Sequence, residues 1–355
     1  MRIVVNDIAA SSGGALSILR SFYRYLIEAE ISKENEWIFL LSDHYIEETD
    51  NIKVIVLDKV KKNWKNRLKF DLYEGKNFIS ELKPDVVFSL QNTITFGLKC
   101  TQVLYLHQSI PFQKVKSFSF IKAKERKLAI YQYLIGTIIK QSIKKAEKTI
   151  VQTKWMKDAV VNSINISSNN IINISPNQDD YTKYKREGVF NSRSFFYPAT
   201  NEIYKNHECI YKACEILSNR GIEEYKVSLT IEEVRSTNNI SCLGTLPFEQ
   251  VLEKYNVSTL IFPSYIETVG LPLIEARQLG TVILASDCAF SREVLEGYEN
   301  AYFFDPFKPY ELANLMQKVI KNQIIKNEKI STTKKVYSDG WEPVISLLEQ
   351  IGGSD

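Results

Sequence analysis

Two carboxylates stand on either side of a Gly-Leu-Pro turn that follows an apolar run. Glu267 precedes Gly270-Leu271-Pro272, and Glu275 follows it. In one continuous helix these residues would lie about 12 Å apart along the axis, at ~1.5 Å per residue, which is too far to share a small ligand. Leu271 precedes a proline, which disfavours helix there, and a proline is a natural first helical residue. The spacing therefore predicts Glu267 in a loop and Glu275 in the first helical turn, with both carboxylates converging on one molecule.

The backbone of the same turn predicts an anion-binding site. Four residues supply amide groups that face the N-terminal end of the helix: Thr268, Val269, Gly270 and Leu271. A helix N-terminus favours negative charge, and a glycine lets the backbone approach a ligand closely. Such a turn holds a diphosphate without a metal ion. The alternative is a solvated loop carboxylate followed by an ordinary first-turn helix carboxylate.

Three further places carry candidate residues. Lys205 stands at the start of a predicted helix, and His107 directly follows the strand-like run Gln102–Leu106. Gly13 and Gly14 lie between the first strand and the first helix, in a loop without the GxGxxG spacing of dinucleotide-binding proteins. Each has an ordinary alternative: a surface lysine, a hydrogen-bonded loop histidine and a tight turn.

The elements that must position these residues alternate along the whole chain. Strands separated by helices indicate βαβ units and parallel sheets. In the first half, strands are predicted at Arg2–Asn6, Trp37–Leu41, Lys53–Leu57, Asp85–Ser89, Gln102–Leu106, Lys148–Gln152 and Ile171–Ile174, and helices at Ala15–Glu28, Leu68–Leu82, Lys122–Lys145 and Lys154–Ser163. In the second half, strands are predicted at Phe195–Tyr197, Lys226–Thr230, Ile240–Leu243, Thr259–Phe262, Val282–Ala285 and Ala301–Phe304, and helices at Lys205–Asn219, Glu249–Tyr255, Pro272–Leu279, Tyr310–Lys321 and Glu342–Ile351.

This alternation predicts an α/β protein with two Rossmann-like, doubly wound domains. We place the first domain at residues 1–176 and the second at 193–335, with a linker at 177–192 where no apolar period is visible. Doubly wound domains bind ligands at the carboxyl ends of their strands. Two such domains facing across a cleft would put the site in that cleft.

Composition narrows the class of protein further. The chain has 355 residues and a net charge of +3. Its five cysteines form no CxxC pair and its three histidines have no metal-ligand spacing, so neither a disulfide framework nor a structural metal is expected. The apolar start is too short for a secretory signal, and no apolar run is long enough to span a bilayer. We therefore expect a cytoplasmic protein.

The charge is unevenly distributed. Residues 1–175 hold 26 basic and 17 acidic residues, a balance of +9, and the remainder has a balance of −6. Two basic runs lie in the first half, the second with Phe112, Phe118 and Phe120 among its lysines: Lys59, Lys61, Lys62, Lys65, Arg67 and Lys69, and Lys114, Lys116, Lys122, Lys124, Arg126 and Lys127. Basic charge with interleaved aromatics suits docking on an anionic membrane, whereas nucleic acid and a solvated helix face are the alternatives. We expect the membrane rather than nucleic acid.

Taken together, the motifs resemble those of family 4 glycosyltransferases, which are retaining enzymes of GT-B fold. Their signature is two glutamates separated by seven residues around a Gly-Leu-Pro turn, here Glu267 and Glu275. The resemblance extends over nearly the whole chain, through Phe262-Pro263-Ser264, Glu275-Ala276, Val282–Ser286, Phe303–Pro306, Tyr204–His207, Cys242–Gly244 and Ile150–Met156. It is loose between residues 42 and 100.

The resemblance implies roles for the candidate residues. Glu275 would accept hydrogen bonds from ribose hydroxyls of a nucleotide-sugar donor, and Glu267 would contact the transferred sugar. The backbone from Thr268 to Leu271 would bind phosphate and sugar, and Lys205 would neutralise the diphosphate. Gly13 and Gly14 would lie near the donor phosphate and the acceptor, and His107 near the donor sugar. Residues 336–355, which include Asp339-Gly340-Trp341, would form a crossover helix that packs on the first domain, with Trp341 as a packing anchor.

The function implied is transfer of a sugar, most simply from a UDP-sugar, to a glycan or lipid-linked acceptor in surface polysaccharide synthesis. No metal or other cofactor is implied. In one respect the chain departs from the family pattern: many members carry an arginine a few residues before Lys205, and the segment Tyr197–Glu202 has none. That absence keeps a non-catalytic nucleotide-sugar-binding protein open as an alternative, beside an epimerase or phosphorylase on a related scaffold.

Overall fold

The computed structural model describes residues 1–11, 13–176, 178–232, 238–328 and 340–353. The chain divides into two compact units. The first unit comprises Met1–Gln178 together with Tyr337–Asp355, and the second comprises Asp179–Val336. Asp339, which belongs to the predicted Asp339-Gly340-Trp341 turn, lies outside the described residues, as does Asn177 of the predicted linker. Within that linker, Thr182–Tyr184 forms one 3₁₀ turn.

The first unit is built on a seven-stranded, entirely parallel sheet in the order β3-β2-β1-β4-β5-β6-β7. Its strands are β1 Arg2–Asn6, β2 Glu36–Leu41, β3 Ile52–Val56, β4 Val86–Ser89, β5 Gln102–Leu106, β6 Lys148–Val151 and β7 Ile171–Asn173. The strand order reverses beside β1, where chain connections leave in opposite directions. That switch point is where open α/β sheets bind ligands.

Helices cover both faces of this sheet. They are α1 Gly13–Glu28, α2 Asp58–Lys61, α3 Trp64–Lys69, α4 Gly75–Glu81, α5 Arg126–Ala129, α6 Gly136–Lys145 and α7 Lys154–Ile164. On one face, Phe22 of α1 packs on Trp37, Phe39 and Phe88 of the strands. On the other, α4 packs on Val4 and Val87, and α6 and α7 pack on Leu104 and Val151. Strands covered on both faces explain the continuous apolar runs in the sequence.

Two helices predicted as continuous are interrupted by π-helical turns, at Phe70–Glu74 and Ile130–Ile135. Each turn ends at a glycine whose amide donates to the carbonyl five residues earlier: Gly75 to Phe70, and Gly136 to Tyr131. A Cβ on Gly75 would lie 2.8 Å from the Phe70 oxygen, and one on Gly136 would lie 3.1 Å from the Tyr131 oxygen. The glycines therefore permit a wider turn that bulkier residues would obstruct.

The C-terminal helix α13, Glu342–Gly352, belongs to the first unit. Trp341, which precedes it, is 4% exposed and lies with its ring centroid 4.9 Å from that of Phe22 and 5.4 Å from that of Tyr105. Its indole nitrogen donates to Ser21 Oγ at 3.0 Å. The predicted role of Trp341 as a packing anchor matches these contacts, because the side chain fills the core between α1 and the sheet.

The second unit repeats the architecture with six parallel strands in the order β10-β9-β8-β11-β12-β13. The strands are β8 Ser194–Tyr197, β9 Lys226–Leu229, β10 Ile240–Cys242, β11 Thr259–Phe262, β12 Ile283–Ser286 and β13 Ala301–Phe304. The helices are α8 His207–Asn219, α9 Phe248–Val257, α10 Leu271–Gln278, α11 Ala289–Val294 and α12 Pro309–Ile320. Numbered within the unit, this is the 3-2-1-4-5-6 order of a Rossmann-like sheet.

The predicted α/β class with two Rossmann-like units is therefore confirmed, and every predicted strand is present within one or two residues of its expected bounds. The helix expected at Lys122–Lys145 begins only at Arg126, and Glu125, directly before it, accepts a hydrogen bond of 3.0 Å from the Ser119 amide. The short helices α2 and α11 were not predicted. The facing of the two units across a cleft stays a prediction.

Candidate active site

In the second unit the Gly-Leu-Pro turn forms the predicted strand-to-helix junction. The buried strand β11 ends at Phe262, residues 263–270 form a loop, and α10 begins at Leu271 with a proline in its first turn. Gly270 adopts a φ of +81°, a left-handed conformation that a side chain would strain. A Cβ there would also lie 3.3 Å from Leu273 Cδ1. The glycine thus ends the loop sharply and places Glu267 before the helix and Glu275 within it.

Glu267 and Lys205 form one ion pair. Lys205 Nζ lies 2.6 Å from Glu267 Oε1, and the two side chains are 18% and 15% exposed. The hydroxyl of the buried Ser264 donates to the same carboxylate oxygen at 2.7 Å. Charged hydrogen bonds of this kind are short and strong, and a mostly enclosed pair gains more than a surface pair does. The lysine and the loop glutamate are therefore fixed relative to each other.

The backbone around Lys205 is tied to the same loop. Tyr197, at the end of β8, donates its hydroxyl to the Lys205 carbonyl at 2.9 Å. The Tyr265 amide donates to the Tyr204 carbonyl at 3.1 Å. Burial, and after it the negative charge of Glu267, raises the pKa of the Tyr204 hydroxyl, which therefore stays neutral. The loop that carries the lysine and the loop that carries the glutamate form one rigid edge.

Asn206 joins this edge to a third loop. It has a φ of +62°, and its side-chain amide donates to the carbonyls of Pro306 at 2.8 Å and Pro263 at 3.2 Å. Asparagine is among the few residues with a side chain that tolerate this backbone conformation. Asn206 thus links the ends of β8, β11 and β13 and begins α8 directly after Lys205.

Glu275 has different partners. Its Oε2 accepts a hydrogen bond of 2.9 Å from the hydroxyl of Tyr255, which lies on α9 and is buried. Burial raises the pKa of Glu275 to about 7, and the bond from Tyr255 opposes that rise. The negative charge of Glu275 in turn raises the pKa of the nearby Tyr181 hydroxyl, after the larger effect of burial. At neutral pH this carboxyl gains or loses its proton readily.

The structure therefore brings Lys205 and Glu267 together and holds Glu275 on the adjacent helix, with no hydrogen-bond partner in common between the two glutamates among the described residues. Their convergence on a single ligand stays a prediction. Ser264, Tyr255 and Asn206 were not predicted as site residues. A serine directly before a signature loop was visible, but nothing in the sequence pairs Tyr255 with Glu275.

The remaining candidates lie in the first unit. Gly13, with a φ of +61°, and Gly14 form the start of α1, and a Cβ on either would meet nothing within 4 Å. His107 follows β5, and its backbone amide donates to Asn92 Oδ1 at 2.7 Å. Burial lowers the pKa of His107 to about 4, so the imidazole is neutral at physiological pH. All three stand at the carboxyl edge of the sheet, as predicted.

A buried acid that was not predicted as a site residue, Asp7, lies at the same edge. It follows β1 directly and is 1% exposed, and within the described part of the chain no other side chain forms a hydrogen bond with its carboxylate. Burial raises its pKa to about 7, while the charges of Arg67 and Lys61 act in the opposite direction. Lys61 itself donates to the carbonyl of Ala9. The loop before α1 is thus anchored beside a second carboxyl that titrates near neutrality.

A metal site is not formed by the residues that the structure describes. They include no group of three or more histidine, cysteine, aspartate or glutamate side chains placed to hold an ion. Metal independence stays a prediction. Within the described ranges, moreover, every helix is too short or too polar to cross a bilayer.

The fold and the site define a class. Two Rossmann-like units in one chain agree with the GT-B fold that the sequence resemblance implies, and the second unit carries a lysine and two glutamates around a Gly-Leu-Pro junction. Comparison with known proteins agrees: residues 185–336 match the family model of the group 1 glycosyl transferases. Over the second unit, the chain is therefore similar to the glycosyltransferases of this group.

Individual relatives are distant. The O-antigen chain mannosyltransferase RfbU of Salmonella typhimurium is 23% identical over 283 residues, which span 70% of this chain and 77% of that protein. The apo lipopolysaccharide outer core galactosyltransferase WaaB superposes with a TM-score of 0.64 at 15% identity, covering 95% of this chain and 96% of the other. HepE from Anabaena, in complex with UDP-glucose, superposes with a TM-score of 0.65 at 14% identity, covering 100% of this chain and 99% of the other. These two structures support the fold alone.

Proposed function

We propose that the protein transfers a hexose from a nucleotide-sugar, most simply a UDP-sugar, to a glycan or lipid-linked acceptor in surface polysaccharide synthesis. The observation that carries the proposal is the Lys205–Glu267 pair beside the N-terminus of α10. The relatives support the donor and acceptor classes, since one is an O-antigen mannosyltransferase and another was solved with UDP-glucose. A GDP-sugar is the second donor to test.

In this proposal the second unit holds the donor. Glu275 accepts hydrogen bonds from the ribose hydroxyls, and Glu267 accepts one from the sugar. Lys205 shifts part of its interaction from Glu267 to the diphosphate, and the amides from Thr268 to Leu271 complete the phosphate contacts. A lysine held at 2.6 Å from a carboxylate is already oriented, so little side-chain entropy is lost when the donor binds.

The chemical step that we propose is front-face transfer with retention and without a protein nucleophile. The acceptor hydroxyl attacks the anomeric carbon as the bond to the diphosphate breaks. The departing diphosphate takes up the developing negative charge, and one of its oxygens accepts the proton that the hydroxyl loses. Lys205 and the helix dipole stabilise that charge where it forms. In the first unit, the neutral His107 positions a sugar hydroxyl, and Gly13 and Gly14 leave room for donor phosphate and acceptor. No metal takes part in the proposed step.

Calorimetric titration with UDP separates the roles of the two paired residues. Lys205→Met should weaken UDP binding by about 10- to 150-fold, since it removes one charged hydrogen bond of roughly 1.5–3 kcal/mol. Glu267→Gln should retain UDP affinity, because it frees the lysine for phosphate, yet abolish transfer. Lys212→Met, on an exposed lysine of α8, is the matched control and should change neither quantity. Equal UDP affinity in wild type and Lys205→Met would remove the diphosphate assignment.

The absent arginine near Lys205 keeps a second candidate, a nucleotide-sugar-binding protein without turnover. Incubation with donor distinguishes the two: an enzyme releases UDP, slowly by hydrolysis or quickly with acceptor, whereas a binder returns the donor intact. NMR of the product's anomeric proton then decides between retention and inversion. We expect the protein in the cytoplasm, where nucleotide-sugars are made, and peripheral to the inner face of the cell membrane.

A further inference from the structure

One segment of the first unit exposes an unusual number of apolar side chains. Between β5 and α6, residues 114–134 present six of them to solvent, with exposed fractions from 36% to 90%: Val115, Phe120, Ile121, Ile130, Tyr133 and Leu134. The rings of Phe120 and Tyr133 lie 5.7 Å apart, so the loop and the π-helical turn meet at this pair. We call this segment the 114–134 surface. Large apolar side chains exposed together in one segment indicate an interaction site.

The charges around this surface have one sign. The segment contains six basic residues and one acidic residue, a balance of +5. Lys114, Lys124 and Lys127 are exposed, as are Lys122 and Arg126. The single acid, Glu125, is buried and already paired with Lys116 at 3.2 Å and Lys122 at 3.8 Å. The 114–134 surface therefore presents apolar side chains, Phe120 and Ile121 at its tip, with positive charge around them.

The loop that carries the tip is held in place from within. Glu125 accepts from the Ser119 amide at 3.0 Å, and Gln132 accepts from the Phe118 amide at 2.9 Å. The Gln113 side chain donates to the Lys116 carbonyl and accepts from the Lys116 amide. The Phe118 side chain is buried. Ile121, at 90% exposure, thus projects from an ordered loop. A preformed surface loses little entropy on docking.

We propose that the 114–134 surface docks the enzyme on an anionic phospholipid bilayer, with Ile121, Phe120 and Leu134 inserted at the headgroup boundary and the surrounding lysines against lipid phosphates. The exposed aliphatic side chains favour lipid over nucleic acid. A surface that binds nucleic acid uses aromatic side chains on which bases stack, whereas an exposed isoleucine such as Ile121 suits insertion into lipid. Apolar insertion and basic charge are the two weak signals that together give stable peripheral binding. The inference extends the proposed function, because it names the surface at which a lipid-linked acceptor is met.

Vesicle co-sedimentation of the full chain tests the proposal. Wild type should bind vesicles that contain phosphatidylglycerol, bind phosphatidylcholine vesicles weakly, and dissociate from the former as salt rises. Ile121→Ser with Leu134→Ser should weaken binding about tenfold or more. Lys124→Glu with Lys127→Glu should weaken it about 25-fold or more and flatten the salt dependence. These four residues are exposed, so their substitution should leave the fold intact.

Matched variants in the second unit control for nonspecific loss. Ile325→Ser replaces another exposed isoleucine, and Lys226→Glu with Lys321→Glu reverses two other exposed lysines. Both controls should bind vesicles as wild type does. Failure of wild type to bind phosphatidylglycerol vesicles, equal losses in the controls, or variants that lose binding to an acidic protein or duplex DNA but not to vesicles would each overturn the proposal. UDP affinity, measured without vesicles, should be unchanged in every variant, so failure here stays separate from failure of the donor assignment.

Discussion

Replacing Glu275 by glutamine should change how the stability of the second unit depends on pH. In the folded protein, burial raises the pKa of Glu275 from its usual 4.5 to about 7. Between these values the folded state binds more protons than the unfolded state, so the free energy of unfolding falls as pH rises and is constant above about 7. At ~1.36 kcal/mol per pH unit, the full loss is about 3 kcal/mol. Glutamine does not titrate and can still accept from Tyr255, so Glu275→Gln escapes this loss.

The measurement is the difference in thermal midpoint between Glu275→Gln and wild type at a series of pH values. For a unit of about 150 residues, 1 kcal/mol corresponds to roughly 2–4 °C, so the variant should gain about 6–12 °C on wild type between pH 4.5 and 7. Taking the difference cancels the other titrating groups: Asp7, whose raised pKa acts in the same direction, and His107 and His207, whose lowered pKa acts in the opposite one.

Tyr255→Phe is the complementary variant. It removes the hydrogen bond that holds the Glu275 pKa down, so the pKa should rise further and the pH-dependent loss should extend to higher pH. UDP binding provides an independent check: ribose hydroxyls donate to the ionised carboxylate, so wild-type affinity should increase up to about pH 7 and the glutamine variant should bind weakly throughout. A difference in midpoint that is flat from pH 4.5 to 7 would refute the reasoning about burial.

Three other predictions follow from single sites. Gly270→Ala should lower stability by about 1–3 kcal/mol and reduce UDP affinity, because it forces alanine into a left-handed backbone conformation beside α10. In Gly14→Ala the new Cβ meets no neighbour, so the variant should fold normally and lose only transfer rate. Thermal unfolding and kinetics measure both variants. His107 is neutral at working pH, so His107→Gln should leave unchanged the inflection of the pH–rate profile that Glu275 produces near pH 7. An inflection near pH 6.5, the ordinary histidine pKa, that vanishes in His107→Gln would contradict this. Trp341→Ala should destabilise the first unit by about 3–5 kcal/mol in thermal unfolding without altering UDP affinity.

The sequence predicts most of the fold because its signals are local. Buried parallel strands need continuous apolar runs, and the stretches that became β1 and β5 show them in the letters alone. The π-helical turns were missed because they depend on how Gly75 and Gly136 meet carbonyls five residues away. A glycine inside a helical stretch indicates that the α-helix is less stable there, but it does not indicate that a wider, π-helical turn takes its place.

In the candidate site, features that depend on neighbouring residues could be predicted, and contacts between residues far apart in the chain could not. Gly270 and Pro272 act on their neighbours, so the junction and the placement of the two glutamates could be predicted. The ion pair joins residues 62 positions apart, and the bond from Tyr255 to Glu275 joins residues 20 apart. Such pairings follow from the sheet order, which the sequence indicates only as a class.

The two halves of the chain carry opposite net charge. The half of the chain that we assign to the anionic donor has the negative balance, −6 for residues 176–355, and the half with the 114–134 surface has +9. Salt screens exposed charges beyond ~8 Å at physiological ionic strength, so donor affinity must come from contacts inside the site, from Lys205 and backbone amides, rather than from the charge of the unit. Donor binding should therefore depend weakly on salt, whereas binding to anionic vesicles should depend on it steeply. Equal salt dependence of both would mean that UDP is held by exposed lysines, and the Lys205–Glu267 pair would no longer explain donor recognition.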